Sequence, residues 1–475
     1  MPVVPSDANL LPDYKELYRF LVACQQVAVD RDCPQIASIS REIPPVDPLA
    51  VLQAIAQPED LHFYFENGPQ DKAIAAIGSA DRFEAPIGDR RFVKAQNFIQ
   101  SCIDRVMSTG ETDLPCAGPY FFCSFTFFDD PPPESAPFPP ATVFLPRWQV
   151  TRCQNRSVLV ANCPLSGNED LEILSREIWQ KINQIGWVNY SWMDEAQKNG
   201  KGLKLQQIAV PSHPFKTAVR SALDSIKSQR LNKIVLAQTL QVTSQKQFNI
   251  FHSLNHLRQV YPDCYIFSTS NGKGTHFIGA SPERLLAIDN QQLVTDALAG
   301  SAPRGKTPTE DADLANGLLS SEKEKHEHRV VIEFIRDRLS HLGLSPRVFP
   351  EPRLLQLSNI QHLWTPIQCT IPPRIHPLKI LAELHPTPAV AGTPRDIATQ
   401  EIRRYETFDR CLYAAPLGWI DRQGNAEFIV GIRSALIQDN RARLYAGAGI
   451  VAGSDPDKEL AEIQLKLKTL LKALV

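Results

Sequence analysis

The chain has 475 residues, 43% hydrophobic and 21% charged, with a formal net charge of -2. That length allows a large core or two to three units, and the near balance of charge gives no reason to expect nucleic acid or an anionic membrane surface as a partner. No run approaches the roughly 18 apolar residues that span a bilayer, and the ten scattered cysteines, without a C-x-x-C, read as reduced thiols of a cytoplasmic protein.

The opening MPVVPSDANLLPDYK lacks the features of a signal or transit peptide. A helix is predicted over 13–29, where Leu17, Phe20, Leu21, Cys24 and Ala28 recur at helical spacing. Strands follow at 35–41 and 61–66, then a short apolar segment at 73–78 and a helix at 90–107. PYFFCSFTFFDD (119–130) reads as a buried strand, DDPPPESAPFPPA (129–141) as a proline-dense loop, and VFLPRWQVTR with SVLVAN as a hairpin. An amphipathic helix is predicted at 168–185, and the polar segment 186–205 reads as a linker.

From residue 212 the signals sharpen. HPFKTAVRSALDSIKSQRL is a helix and NKIVLAQTLQV (232–242) a strand, with Lys233, Val235, Ala237 and Thr239 on one face and Ile234, Leu236 and Leu240 on the other. A helix at 248–260 precedes a run of antiparallel strands through CYIFSTS, HFIGASPERLLAID and QQLVTDAL. GSAPRGKTP (300–308) reads as a loop and 309–342 as one helix. The last segment, 441–474, reads as a strand, a glycine turn (Gly447, Gly449, Gly453) and a helix with Asp455 as N-cap. Strands in runs with helices between them indicate an α+β architecture.

Four constellations could carry chemistry. In the terminal helix Ile463, Leu467, Leu470 and Leu474 share a face, yet Glu459 and Lys466 project on that side with Glu462 on its flank. Inward charges cost several kcal/mol each unless paired or metal-bound, so this helix holds either a buried ion network or a polar site. In SEKEKHEHRVVIEFI (321–335), Glu324 and Glu327 form a second Glu-x-x-Glu pair, with Glu327 turned toward the apolar side. Oxygen ligands from two helices suit Mg²⁺, whereas the alternation of Glu and Lys equally fits a solvated helix start. Zinc on His326 and His328 is disfavoured, because i, i+2 side chains diverge on a helix. Lys233, set among apolar strand residues, is either a desolvated base or a lysine snorkelling from a strand edge. Glu283, after Ser-Pro and before a strand, is a carboxylate at a sheet end. The run G-A-G-I-V-A-G has the wrong spacing for a dinucleotide loop, and fits better a backbone that approaches an anion at a helix start.

These residues resemble the chorismate-utilising enzymes, a family that includes isochorismate synthase, salicylate synthase and the large subunit of anthranilate synthase. The blocks that carry the likeness are KIVLAQ, FIGASPERL, ALAGSAPRG, SEKEKHEH, QHLWTP, LHPTPAVAGTP, LYAAPLGW, FIVGIRS and YAGAGIVAGSDPDKELAEIQLK, nine in order across 233–466. The first 200 residues match only in length and general pattern. The resemblance implies an α+β fold of two large antiparallel sheets packed with helices, as in anthranilate synthase component I. Residues 1–206 would complete a core whose catalytic part is 207–475, as one integrated domain and a monomer.

By the same resemblance, Glu327 and Glu462 are Mg²⁺ ligands, Glu324 and Glu459 the adjoining acidic pair, and the metal holds the ring carboxylate of chorismate. Tyr413, Arg433 and the backbone at Gly447 match the clamp on the pyruvyl carboxylate, a group that arginine grips bidentately. Gly300, His362, Ala389 and Lys466 match other substrate-side positions. Lys233 matches the family's water-activating base and Glu283 its acid, as expected for an isomerisation in which water attacks C2 while the C4 hydroxyl leaves. Anthranilate-forming relatives usually lack that lysine, and members that eliminate pyruvate commonly carry threonine where Ala389 stands. The expected activity is isochorismate synthesis for menaquinone, phylloquinone, siderophore or salicylate production; the alternatives are salicylate synthesis with pyruvate release and a non-catalytic anion-binding protein. Gln238 and Ser301 depart from the common family pattern without touching the proposed base, acid or metal ligands.

Overall fold

The structure is a computed structural model that describes residues 14–86, 88, 90–129, 136–188, 205–208, 212–358 and 360–474. Most of the predicted linker at 186–205, and residues 130–135 of the proline-dense loop, lie outside the described residues. Among the described residues no helix is long and apolar enough to cross a membrane.

Two sheet arms share one long strand, Ala141–Cys153. Its full length pairs with Lys72–Glu84 on one edge. On the other edge its C-terminal half pairs with Arg156–Leu165, and its N-terminal half with Tyr120–Phe125. The first arm leaves Lys72–Glu84 and passes through His62–Asn67, Tyr265–Ser270, Thr275–Ser281, Ser434–Gln438 and Arg441–Ile450 to Lys233–Ser244. The second leaves Tyr120–Phe125 and passes through Pro416–Asp421, Ala426–Val430, Arg284–Asp289 and Gln292–Pro303 to Ile360–Thr370. Every step along both arms is antiparallel. A parallel pair, Gln35–Ile43 with Val106–Gly110, extends the shared end beyond Arg156–Leu165. The two expected antiparallel sheets are therefore present as arms of one hydrogen-bonded network.

Aromatic side chains fill the space between the arms: Phe63, Phe65, Phe122, Phe267, Phe277 and Phe428 are all buried. Helix Glu322–His341 packs on strand Gln292–Pro303, and helix Pro456–Leu474 packs on Arg441–Ile450. The far ends of the two arms thus each present one helix, and the two helices carry the two Glu-x-x-Glu pairs.

Three local expectations change. The predicted helix over 309–342 is two helices, Pro308–Ser320 and Glu322–His341, because Ser321 adopts extended dihedrals and its side chain caps the second by accepting from the Glu324 N–H. The predicted loop at 300–308 begins late, since strand pairing continues to Pro303 through a bulge at Gly300. Gly447 and Gly449 belong to the strand and not to a turn, because pairing with Lys233–Ser244 persists to Ile450 opposite Ile234. Only Gly453, at φ 89°, sits in the turn that follows. Asp455 caps the terminal helix as expected, accepting from the Asp457 and Lys458 N–H groups at 2.9 Å.

Candidate active site

All thirteen residues singled out as base, acid, substrate contacts and metal ligands line one cavity of about 270 Å³ between the arm ends. They come from separate places in the chain, so their convergence is a property of the fold and not of spacing.

Strand Lys233–Ser244 supplies the lysine. Lys233 is 3% exposed, on the face it shares with Val235, while Ile234 and Leu236 point into the core. Its Nζ donates to Glu327 Oε1 at 2.5 Å. This is not a snorkelling lysine. Burial alone would raise the Glu327 carboxyl, but the adjoining Lys233 ammonium outweighs it and holds the carboxyl below its ordinary value.

Glu283 lies between strands Thr275–Ser281 and Arg284–Asp289. Its N–H donates to Ser281 Oγ at 3.2 Å and its carbonyl accepts from the Val430 N–H at 3.1 Å, which fixes the backbone that carries the carboxyl. Burial pushes this carboxyl up to about 8, against the pull of Lys233 and with a small addition from Asp296. The cavity therefore holds a buried lysine on one arm and a protonated carboxylic acid on the other.

The acidic pairs face each other from the two helices. Burial and then Glu327 raise Glu324, which accepts from the Ser301 N–H at 3.2 Å. Glu459 is raised by burial first, with Glu462 adding to it against the opposing hydrogen bond of Ser454. Lys466 bridges Glu462 Oε1 at 2.7 Å and the Gly447 carbonyl at 2.9 Å. Among the described residues no three Asp, Glu, His or Cys side chains close on one point as a ready ligand cage. The donor set still fits a hard divalent cation: four carboxylates line one cavity, and two have their ionisation suppressed by burial and by an acidic neighbour. Zinc is not supported, since His328 is buried against Thr365 Oγ1 at 2.8 Å and His326 is exposed.

The residues expected on the substrate side surround these charges. A Cβ at Gly447 would stand 2.8 Å from the Tyr413 hydroxyl, and one at Gly449 would stand 3.2 Å from both Glu327 Oε1 and Lys233 Cε. Both glycines lie in the strand, before the helix start, where side chains of other elements come close to the backbone. The Arg433 backbone takes φ 49°, its guanidinium lies 6.0 Å from the Tyr261 ring centre, and its Nη1 reaches Cys264 Sγ at 3.8 Å. His362 Nδ1 faces the Gly300 carbonyl at 3.3 Å and therefore bears the proton, leaving Nε2 as an acceptor without a described protein partner. Burial, then Arg433 and Lys466, lower His362 to about 3, so the ring is neutral. Ala389 completes the wall beside Val390.

One support escaped sequence reasoning. Arg410 is fully buried, pairs with Glu406 at 2.6 and 2.8 Å, and donates to the carbonyls of Val390 and Val235. Glu406 in turn accepts from the Ala237 N–H at 2.8 Å. The ion pair ties the Ala389 loop to the Lys233 strand from behind. Its signal was an i, i+4 Glu–Arg pair immediately before the apolar run CLYAAPLGW.

Comparison with known proteins places these features in a group. The family described as chorismate binding enzyme matches residues 22–475. The salicylate biosynthesis isochorismate synthase of Pseudomonas aeruginosa is 33% identical over 453 residues, covering 95% of this chain and 92% of that one. The solved menaquinone-specific isochorismate synthase of Escherichia coli superposes with a TM-score of 0.76 at 27% identity, covering 96% of this chain and 100% of the other. Anthranilate synthase component I from Streptococcus pneumoniae, at 22% identity and a TM-score of 0.66 over 85% of this chain and 93% of its own, shares the fold.

Proposed function

The chain belongs to the chorismate-binding enzymes, and from that premise we propose that it is an isochorismate synthase, converting chorismate to isochorismate by attack of water at C2 and loss of the C4 hydroxyl. The observation that carries this reading is the pairing, in one cavity, of buried Lys233 with Glu283, whose carboxyl stays protonated up to about pH 8. A hydroxyl exchange needs a base for the incoming water and an acid for the departing hydroxyl. Lys233 takes the proton from water; Glu283 gives its proton to the leaving oxygen.

Arg433, the Tyr413 hydroxyl and the Gly447 backbone hold the pyruvyl carboxylate, and neutral His362 and the Gly300 bulge line the ring side. Glu327 and Glu462, with Glu324 and Glu459 adjoining, would hold Mg²⁺, which supplies the positive charge that anchors the ring carboxylate. Lys466 sits between Glu462 and Gly447, and so links the acidic pair to the carboxylate clamp. The methyl of Ala389 offers no hydroxyl to a pyruvate elimination, which favours isomerisation alone. The product would serve menaquinone, phylloquinone, siderophore or salicylate synthesis.

The test is chromatographic product analysis after adding chorismate, with Mg²⁺ and with EDTA. Isochorismate without pyruvate, formed only with Mg²⁺, is expected. Pyruvate release would replace this reading by salicylate synthesis, and no turnover in either condition would leave an anion-binding protein on the same scaffold.

A further inference from the structure

Arg433 enters the cavity from a backbone that is locked in place. Its φ of 49° is left-handed, its carbonyl accepts from the Ala280 N–H at 3.1 Å, and a Cβ at Gly279 would stand 2.7 Å from that same oxygen. The main chain is therefore fixed against strand Thr275–Ser281, but the long side chain beyond it is not. A guanidinium that must be ordered at the moment of binding loses affinity, so such a group grips best when something holds it beforehand. Among the described residues no carboxylate pairs with Arg433. Its guanidinium meets a thiol instead, with Nη1 donating to Cys264 Sγ at 3.8 Å, and the Tyr261 ring, 6.0 Å away at its centre.

Both holders come from one turn. Helix Ile250–Val260 ends at Tyr261, whose N–H donates to the Leu257 carbonyl at 2.8 Å. The Cys264 N–H then donates to the Tyr261 carbonyl at 3.1 Å. YPDC is thus a four-residue β-turn with proline at its second position, where the fixed φ of that residue suits the turn. The backbone of Gly68 lies against it, since a Cβ there would stand 2.7 Å from the Pro262 carbonyl oxygen. Tyr261 and Cys264 are both buried, and only Tyr261 lines the cavity, so the sulfur reaches the guanidinium from outside the lining. Burial pushes the Cys264 thiol up to about 11 and raises the Tyr261 hydroxyl too, with Arg433 opposing in each case. Neither holder brings a negative charge, so the charge of Arg433 is left for an incoming carboxylate.

We propose that the Tyr261–Cys264 turn is a positioning device for Arg433, in which the Cys264 sulfur accepts from the guanidinium and the Tyr261 ring flanks it, so that the clamp is set before the substrate carboxylate arrives. This rests on the reading of Arg433 as the grip on the pyruvyl carboxylate of chorismate. Removing a holder then costs affinity for chorismate and leaves the proton transfers of Lys233 and Glu283 as they were.

Chorismate is titrated calorimetrically, with Mg²⁺, into the Glu283→Gln protein, where it is not consumed, and KM and kcat are measured with Glu283 in place. Cys264→Ala and Tyr261→Leu should each weaken binding and raise KM by about 2- to 10-fold, with kcat within about twofold of the parent. Cys264→Ser and Tyr261→Phe, which retain an acceptor and a ring, should stay within about twofold of the parent in affinity and in KM. Unchanged affinity in Cys264→Ala and Tyr261→Leu, an equal loss in the serine and alanine variants, or a fall in kcat with KM unchanged would overturn the proposal. A parent that binds chorismate but forms no isochorismate would overturn the synthase reading alone, because the titration needs no turnover.

Discussion

At Glu283 burial sets both the chemistry and a pH dependence. The carboxyl ionises near 8 in the folded chain and near 4.5 when unfolded. The folded state therefore binds more protons between those values, and the stability this group contributes is lost as pH rises from about 4.5 to about 8. The proton that the proposed reaction takes from it disappears over the upper end of the same window. Turnover should therefore fall on an alkaline limb near pH 8, and Glu283→Gln should lower kcat by ~10²–10⁴-fold and flatten the stability slope. Measurement of kcat and of urea midpoints across pH checks both. At Lys233 the expectation is a change of activity without a change of fold: Lys233→Ala should lower isochorismate formation by a similar ~10²–10⁴-fold while circular dichroism stays unchanged. Normal turnover in that variant would remove lysine from the base role. Both residue types could be read from the sequence, because an amine among β-branched neighbours and an acid after Ser-Pro stand out. Their relation came from the family resemblance and not from the local pattern, since the arms that bring them together are set by pairings hundreds of residues apart. Arg410 was missed for a related reason: nothing in its local pattern says that it reaches two carbonyls on other segments.

Among the elements, the terminal strand and helix show how far a local pattern reaches. The helix was legible down to its cap, because the period of Ile463, Leu467 and Leu470 and the Asp455–Pro456 start are local properties. The two glycines were legible as special but not as strand residues, because their cause is Tyr413 and Glu327 on other elements. That cause makes a prediction. Gly447→Ala places a methyl 2.8 Å from the Tyr413 hydroxyl, and a rigid phenol gives way only by moving the ring. The overpacking should cost about 1–3 kcal/mol and raise the chorismate KM, as thermal denaturation and steady-state kinetics would show. An unchanged KM would mean that Tyr413 does not touch the substrate. The helix break at Ser321 carries the same lesson in reverse: the flanking periodicity continued across it, while the serine cap that interrupts it decides where Glu324 and Glu327 point.

For the molecule as a whole, the α+β class and its antiparallel strands were readable, but the branching at Ala141–Cys153 was not. No sequence period marks a strand that serves two arms. The Arg410–Glu406 pair works at this scale, because it joins the 235 strand to the 390 loop while its guanidinium lies 4.3 Å from the Phe127 ring centre. Arg410→Met would leave the Glu406 carboxylate buried without its partner, and should lower unfolding free energy by about 3–5 kcal/mol. Urea denaturation reads this, and a loss below 1 kcal/mol would mean that the pair is replaceable.

The branched sheet also sets an order of events in time. Phe122 pairs opposite Trp419 and Phe65 opposite Phe267, so early strands wait for partners made much later in the chain. Contacts of such separation fold slowly, because loop closure must precede the stabilisation it allows. A ribosome that has released residues 1–400 has still not made strand Pro416–Asp421, so the second arm closes only after more than 400 residues have emerged. Until then the edge of Tyr120–Phe125, phenylalanine-rich and built for burial, has no neighbour on that side, and it is an exposed apolar edge open to aggregation.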